Sequence, residues 1–344
     1  MTALVKHRLM GPAAALVVLI IINAIANPNF LAITVRDGRL YGAPIDILRS
    51  NAPLMLVALG MTIVIATRGI DLSVGAIMAV SGAVALEFIA ASGEPGAMST
   101  VLIAVVVGVG VALVLGVWNG FLVSVMGIQP IIATLVLMLA GRGAALLITQ
   151  GKITTVNSDP LSFLSSGYAL AIPFAFILAA VVVAAVSLVE RRTALGVLTE
   201  SVGINPEASR LAGVRSRGII WGAYVLSGAL AGLAGVIYAA NTSAADANNA
   251  GVFIELYAIL AVVLGGTSLM GGKFSIAGTV LGVLIIGTLN TTILFIGIPP
   301  AQAPVFFAVV VALVVVAQSP RFKTLFTRLA AQRRRPVAQA EVAK

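Results

Sequence analysis

The stretch Leu264-Gly-Gly-Thr-Ser-Leu-Met-Gly-Gly-Lys273 sets glycines ahead of a lysine, the residue types that cradle nucleotide phosphates. A phosphate loop ending at Gly272-Lys273 needs glycine at 267 and serine or threonine at 274, where this chain has Thr267 and Phe274. The chain therefore does not hydrolyse ATP itself. Other reactive chemistry is scarce. There is no cysteine and one histidine, His7, which argues against a thiolate nucleophile, a disulfide, histidine catalysis or a bound metal. No constellation of acid, base and nucleophile stands out. The sequence predicts no enzyme, no catalytic residue and no cofactor held by this chain.

A different kind of segment stands out at 205–213. Asn205 suits an N-cap, Pro206 the first helical position, and Glu207 the positive end of a helix. Gly213 is placed to end it. The product is an amphipathic helix of about two turns, with Ala208 and Leu211 on one side and Glu207 and Arg210 offered to a partner. A soluble motor could grip such a helix. The competing reading lays it on lipid headgroups, for which Glu200 and Glu207 make an anionic surface a poorer host.

The elements that must hold this helix are membrane spans. Sixty per cent of the 344 residues are hydrophobic and 10% are charged. A bilayer core of roughly 30 Å takes about 20 apolar residues as helix, and unbroken apolar runs exclude the alternating pattern of a barrel. The runs predict an all-α polytopic protein with ten spans, near 9–26, 47–67, 70–91, 99–118, 129–148, 171–189, 219–240, 254–270, 275–296 and 302–319. The net charge of +9 follows topology and not nucleic-acid binding. Lys6 and Arg8 precede the first run, Arg191, Arg192, Arg210, Arg215 and Arg217 lie in the central loop 190–218, and Arg321, Lys323 and Arg328 follow the last run. Positive residues beside spans mark the cytoplasmic side, so both termini are expected there. Residues 1–320 are expected to form one transmembrane domain and 321–344 a basic cytoplasmic tail without a fold of its own. Arg36, Arg39 and Lys152 oppose the bias. The first 26 residues also fit a signal peptide ending at Ala24-Ile-Ala26, which would leave nine spans and break the parity of the basic loops.

Gly116-Val-Trp-Asn119 with Gly127-Ile-Gln-Pro130 matches Gly287-Thr-Leu-Asn290 with Gly297-Ile-Pro-Pro300. In the ten-span count the copies run in opposite directions, the mark of an inverted repeat, although Asn, Gly and Pro are also common at span ends. Gly116xxxGly120, Gly228xxxGly232 and Gly278xxxGly282 predict close helix packing. At the start of the third run, Asp71 either caps a helix at the cytoplasmic turn or serves substrate or ion directly. Asn119, Gln129, Thr134, Asn290 and Thr291 could line a pathway for a hydroxyl-rich solute, or each could satisfy neighbouring backbone. Asp246, Asn248 and Asn249 lie in the outer loop 241–253 and could meet a soluble partner, or the loop could be bare.

GMTIVIATRGIDLSVG at 60–75, NGFLVSVMGIQPIIATLVLMLAGRG at 119–143, VGINPEASRLAGV at 202–214 and LAVVLGGTSLMGGKFSIAGT at 260–279 together resemble the permeases of ribose-type ATP-binding-cassette sugar importers. Within that family, DGRLYGAPIDIL at 37–48 and ADANNAG at 245–251 look like the galactofuranose permeases. One departure is Arg68, where the family's turn usually has a small residue. The resemblance implies a multi-pass subunit of the bacterial inner membrane that imports a sugar from the periplasm. It also implies that 205–213 is the helix seated in a cytoplasmic ATPase, which uses the ATP and magnesium. The implied partners are that ATPase, a periplasmic sugar-binding protein and, for galactofuranose systems, a second, non-identical permease. An ion-coupled secondary transporter of a small polar solute is the alternative, disfavoured because few ionisable residues fall at mid-span.

Overall fold

In the computed structural model the described residues are 2–297, 299, 302, 305–309 and 312. Most of the expected tenth span at 302–319, the repeat residues 298 and 300, and the tail 321–344 lie outside them. Residues up to Thr292 form one unit, which holds every site discussed here.

Helix α1 (Thr2–Ala26) leads to a hairpin of β1 (Thr34–Arg36) and β2 (Arg39–Tyr41). Then come α2 (Ala43–Ser50), α3 (Ala52–Ala66), α4 (Val74–Ala90), α5 (Met98–Ser124) and α6 (Pro130–Ile148). A connector carries β3 (Thr154–Thr155), α7 (Asp159–Ser166), β4 (Tyr168–Ala169) and β5 (Ile172–Pro173). After α8 (Phe174–Arg192), the central loop folds as α9 (Leu195–Ile204) and α10 (Pro206–Leu211). The chain continues through α11 (Ser216–Thr242), β6 (Ala244–Ala245), α12 (Ile254–Leu264) and α13 (Ile276–Ile296).

Burial does not follow hydropathy among the long helices, since α11, the least apolar of them, is among the most buried and α5, the most apolar, is mainly exposed. Every residue of α3 is buried, as expected of a helix apolar on all sides. Its neighbour α4 is buried nearly throughout, and α11 packs on α3, α4 and α5. Large apolar side chains of α1, α5, α6 and α8 are instead exposed, among them Ile25, Val106, Leu139 and Val181. These are the surfaces a bilayer would cover, since lipid leaves apolar side chains no reason to turn inward.

Glycines set the closest approaches. Gly116 on α5 and Gly228 on α11 face each other, and a Cβ added at Gly228 would lie 2.7 Å from the Gly116 Cα. Gly232 continues that contact against Ala112, and Gly278 and Gly282 of α13 sit against Gly265 and Ala261. The small-residue faces read from the sequence are thus helix–helix contacts.

Each of the first nine expected spans contains a helix, but their lengths differ from the expectation. Among the described residues, six helices are long and apolar enough to cross a membrane, or seven when α2 and α3, bent by 49°, count as one. Helix α4 has 17 residues and α12 only 11. The apolar run at 254–270 stops being helical at Leu264 because Gly266, Gly271 and Gly272 take positive φ values of 85°, 80° and 85°. That backbone conformation suits glycine and ends a helix.

Candidate coupling helix and translocation pathway

Helix α10 is built locally. The Asn205 side-chain oxygen accepts the N–H groups of Glu207 at 3.1 Å and Ala208 at 3.0 Å, and Pro206 occupies the first turn. Gly213, at φ 88°, follows its end, and the Val214 N–H returns to the Ser209 carbonyl. The Ser216 hydroxyl donates to the Pro206 carbonyl at 2.9 Å, which fixes α10 to the start of α11. Ser209 faces inward, whereas Ala208 and Leu211 face out, Leu211 being 77% exposed. Glu207 and Arg210 are exposed too, and they pair with each other: Arg210 Nη2 lies 2.6 Å from Glu207 Oε1. The hydrogen bonds from Arg210 hold the Glu207 carboxyl below the usual carboxylate range. The sequence offered this pair as free charges, although a spacing of three on a helix is the signal for such pairing.

Around the turn between α3 and α4 lies a buried polar cluster. Asp71 Oδ1 accepts the Ser73 N–H at 3.1 Å and the Ser73 hydroxyl at 2.6 Å, and Oδ2 accepts the Ser227 hydroxyl at 2.8 Å. Asn119 Nδ2 donates to Ser73 Oγ at 2.8 Å, and Thr134 Oγ1 lies 3.3 Å from the Ile70 carbonyl. The N-cap position of α4 is Ser73, not Asp71, and Asp71 accepts the N–H of that cap residue. Its location, however, is deep inside: Ser227 stands near the middle of α11, and Asp71 is 1% exposed. The sequence count set it at an inner span end.

The pathway candidates divide. Asn119 and Thr134 converge on this cluster and are fully buried. Gln129 is exposed at the start of α6, and Asn290 is exposed on α13. Thr134 and Thr291 also donate to carbonyls of their own helices, at Pro130 and Gly287.

In the loop 241–253, Asp246 Oδ1 accepts the N–H groups of Asn248 and Asn249, and Oδ2 accepts the Asn249 amide at 2.7 Å. Asn248 and Asn249 are exposed. Arg142 of α6 braces the turn by donating to the Ala247 and Ala250 carbonyls. Sequence reasoning missed that brace and the roles of Ser73 and Ser227. Among the described residues no cluster of metal-ligating side chains occurs.

Residues 43–317 match the family described as branched-chain amino acid transport system / permease component. The chain belongs to this family. The permease is 48% identical over 316 residues to the galactofuranose transporter permease of Escherichia coli (strain K12), covering 92% of this chain and 91% of the relative. It is 42% identical over 336 residues to a fructose import permease of Bifidobacterium longum, covering 96% and 93%. A ribose import permease of Escherichia coli shares 37% over 311 residues, covering 89% and 92%. No solved structure matches. The permease is accordingly a multi-pass, non-enzymatic transport subunit of an ATP-binding-cassette importer in a bacterial inner membrane, working with an ATPase and a binding protein.

Proposed function

We propose that this permease carries a monosaccharide, galactofuranose or a close relative of it, from periplasm to cytoplasm. The observation that carries the reading is 48% identity over 92% of the chain to a galactofuranose transporter permease. The fructose and ribose permeases at 42% and 37% support the wider sugar class. Helix α10, with Asn205, Pro206, Glu207, Ala208, Arg210, Leu211 and Gly213, is the part that docks into the ATPase. An exposed leucine on a capped six-residue helix supports this, because so short a helix buries little of its own and gains most from a partner.

In this reading the chain has ten spans in an inverted repeat, both termini cytoplasmic, and a second, non-identical permease completes the pathway. Asn119, Gln129, Thr134, Asn290 and Thr291 contribute polar groups along it, and Asp246, Asn248 and Asn249 meet the sugar-binding protein. ATP and magnesium are used by the ATPase, and the permease itself holds no cofactor.

The test is uptake into proteoliposomes holding this permease, its second permease and the ATPase, with the binding protein outside. Uptake should require ATP and survive collapse of ion gradients, with galactofuranose competing. Uptake driven by a proton or sodium gradient in the purified chain alone would overturn the reading. Full activity without the second permease would overturn the heterodimer.

A further inference from the structure

Arg68 stands where a side chain is conformationally unwelcome. Its φ of 67° is left-handed, a region that costs a residue with a Cβ and that glycine occupies freely. The neighbouring bonds fix the turn tightly: the Thr67 hydroxyl and the Gly69 N–H both return to the Val64 carbonyl. A position that breaks a local rule calls for a gain elsewhere, and here the gain is in the side chain.

The Arg68 guanidinium donates from Nη2 to the Ile204 carbonyl and from Nε to the Met270 carbonyl at 3.1 Å. Ile204 is the last residue of α9, and the next residue, Asn205, caps α10. A helix C-terminus presents unsatisfied carbonyls and the negative end of the helix dipole, which favour a cation. Met270 belongs to the glycine-rich loop after α12. Backbones meet directly beneath the arginine. The Gly272 N–H donates to the Ala66 carbonyl at 2.9 Å, and Gly203 abuts that same carbonyl with no room for a Cβ. Gly271 lies against the Arg68 side-chain stem, again with no room for a Cβ. Three segments distant in sequence are thereby held at one joint: the α3–α4 turn, the end of α9 and the loop after α12. The far side of the turn carries Asp71, joined through Ser73 and Ser227 to Asn119 of α5 and to α11.

We propose that Arg68 is a positioning residue of the transport cycle, tying the end of α9 to the α3–α4 turn so that displacement of α10 reaches the buried Asp71 cluster. This rests on the reading of α10 as the ATPase-docking helix. Coupling between distinct sites needs an element that both sites bias, and the joint at Ala66, Gly203 and Gly272 provides a continuous one.

The experiment compares Arg68→Gly and Arg68→Lys in the complete reconstituted importer with its ATPase, second permease and binding protein. Three quantities are read: sugar moved per ATP hydrolysed, co-purification of the ATPase, and the thermal midpoint of the complex. Glycine removes the backbone strain, so the complex should assemble with its ATPase and an undiminished midpoint. Sugar moved per ATP should nevertheless fall roughly fivefold or more, the lower end of ordinary coupling between sites. Lysine keeps the charge but cannot donate to both carbonyls in a fixed fork, and should fall between glycine and the parent. An unchanged ratio in Arg68→Gly with the ATPase bound overturns the inference and leaves the docking reading standing. A fall that follows the thermal midpoint also overturns it, in favour of a structural role. Failure of the parent α10 to engage the ATPase, seen when Arg210→Glu leaves transport and co-purification untouched, removes the reading beneath it.

Discussion

The Ser227 hydroxyl donates to Asp71 Oδ2 at 2.8 Å, linking the middle of α11 to the turn before α4 across 156 residues of sequence. The carboxylate is buried, and its hydrogen-bond donors are neutral: two from Ser73 and one from Ser227. Replacement by asparagine keeps one oxygen for the Ser73 N–H and lets the Ser227 hydroxyl rotate to accept. We expect Asp71→Asn to cost about 1–2 kcal/mol, roughly one hydrogen bond. Asp71→Leu leaves all three donors unanswered in a buried site and should cost more than about 3 kcal/mol. Thermal unfolding in detergent of the two variants checks the order, and equal losses would show that the hydrogen bonds do not hold the helices.

The close contact of α5 and α11 makes a second prediction. A Cβ at Gly116 would stand 2.7 Å from the Tyr224 carbonyl oxygen and 3.1 Å from the Gly228 Cα, whereas Gly110 on the same helix has nothing within 4 Å. Gly116→Val should lose the monodisperse peak on size-exclusion chromatography, because overpacking a tight interface costs about 1–3 kcal/mol or more. Gly110→Val should elute as the parent does. Identical profiles would refute the packing account.

Those glycine faces were legible because four-residue spacing on a helix is a local property. So was α10, whose cap, proline and terminal glycine are all neighbours in sequence. Asp71 reads in the sequence as the cap of α4, but the cap position falls to Ser73, and the burial of Asp71 depends on Ser227, 156 residues away. The end of α12 at Leu264 was hidden because apolar residues continue through the glycine-rich loop, and hydropathy does not register positive φ. Arg142 and Arg68 act on carbonyls of remote loops. Backbone acceptors leave no mark in residue type, so neither contact could be read ahead of the structure.

The cap of α10 yields a third prediction. Asn205 satisfies two N–H groups of a helix of six residues. Asn205→Ala should remove about 1 kcal/mol of local stability, which so short a helix lacks elsewhere. Substrate-stimulated ATP hydrolysis should fall, while Asn205→Asp, an equal cap, keeps it. Loss in both variants would point to the amide as a direct contact with the ATPase.

The paired charges on α10 give a fourth. Arg210→Glu removes the partner of Glu207 and sets two carboxylates one turn apart, so both helix and docking surface should suffer. Transport and stimulated hydrolysis should drop together while the permease stays in the membrane. Restoring the pair in reverse, Glu207→Arg with Arg210→Glu, separates the two effects. It should recover the helix but not the coupling, because the charges then meet the ATPase in the wrong order.

The Asp246 turn gives the last prediction. Asp246 accepts three hydrogen bonds from Asn248 and Asn249, and the Asn249 amide leads in holding its carboxyl below the ordinary value of 3.8. A depressed folded pKa means that the stabilisation is complete above that ordinary value and is lost only as pH falls through the lower, folded one. Stimulation of ATP hydrolysis by the binding protein should therefore keep its full Asp246 contribution from neutral pH down to about 5, since an aspartate is then ionised with or without the turn. Asp246→Lys cannot accept from any of the three donors and reverses the charge beside two exposed asparagines. In that variant stimulation should weaken, measured as a higher binding-protein concentration at half-maximal hydrolysis, while the ATPase still co-purifies because α10 is untouched. Asn249→Ala isolates the contribution of geometry, since it removes the 2.7 Å amide bond and leaves the charge. A full response in Asp246→Lys would take this turn out of the docking surface, and a loss equal in both variants would assign the effect to the shape of the turn and not to its charge.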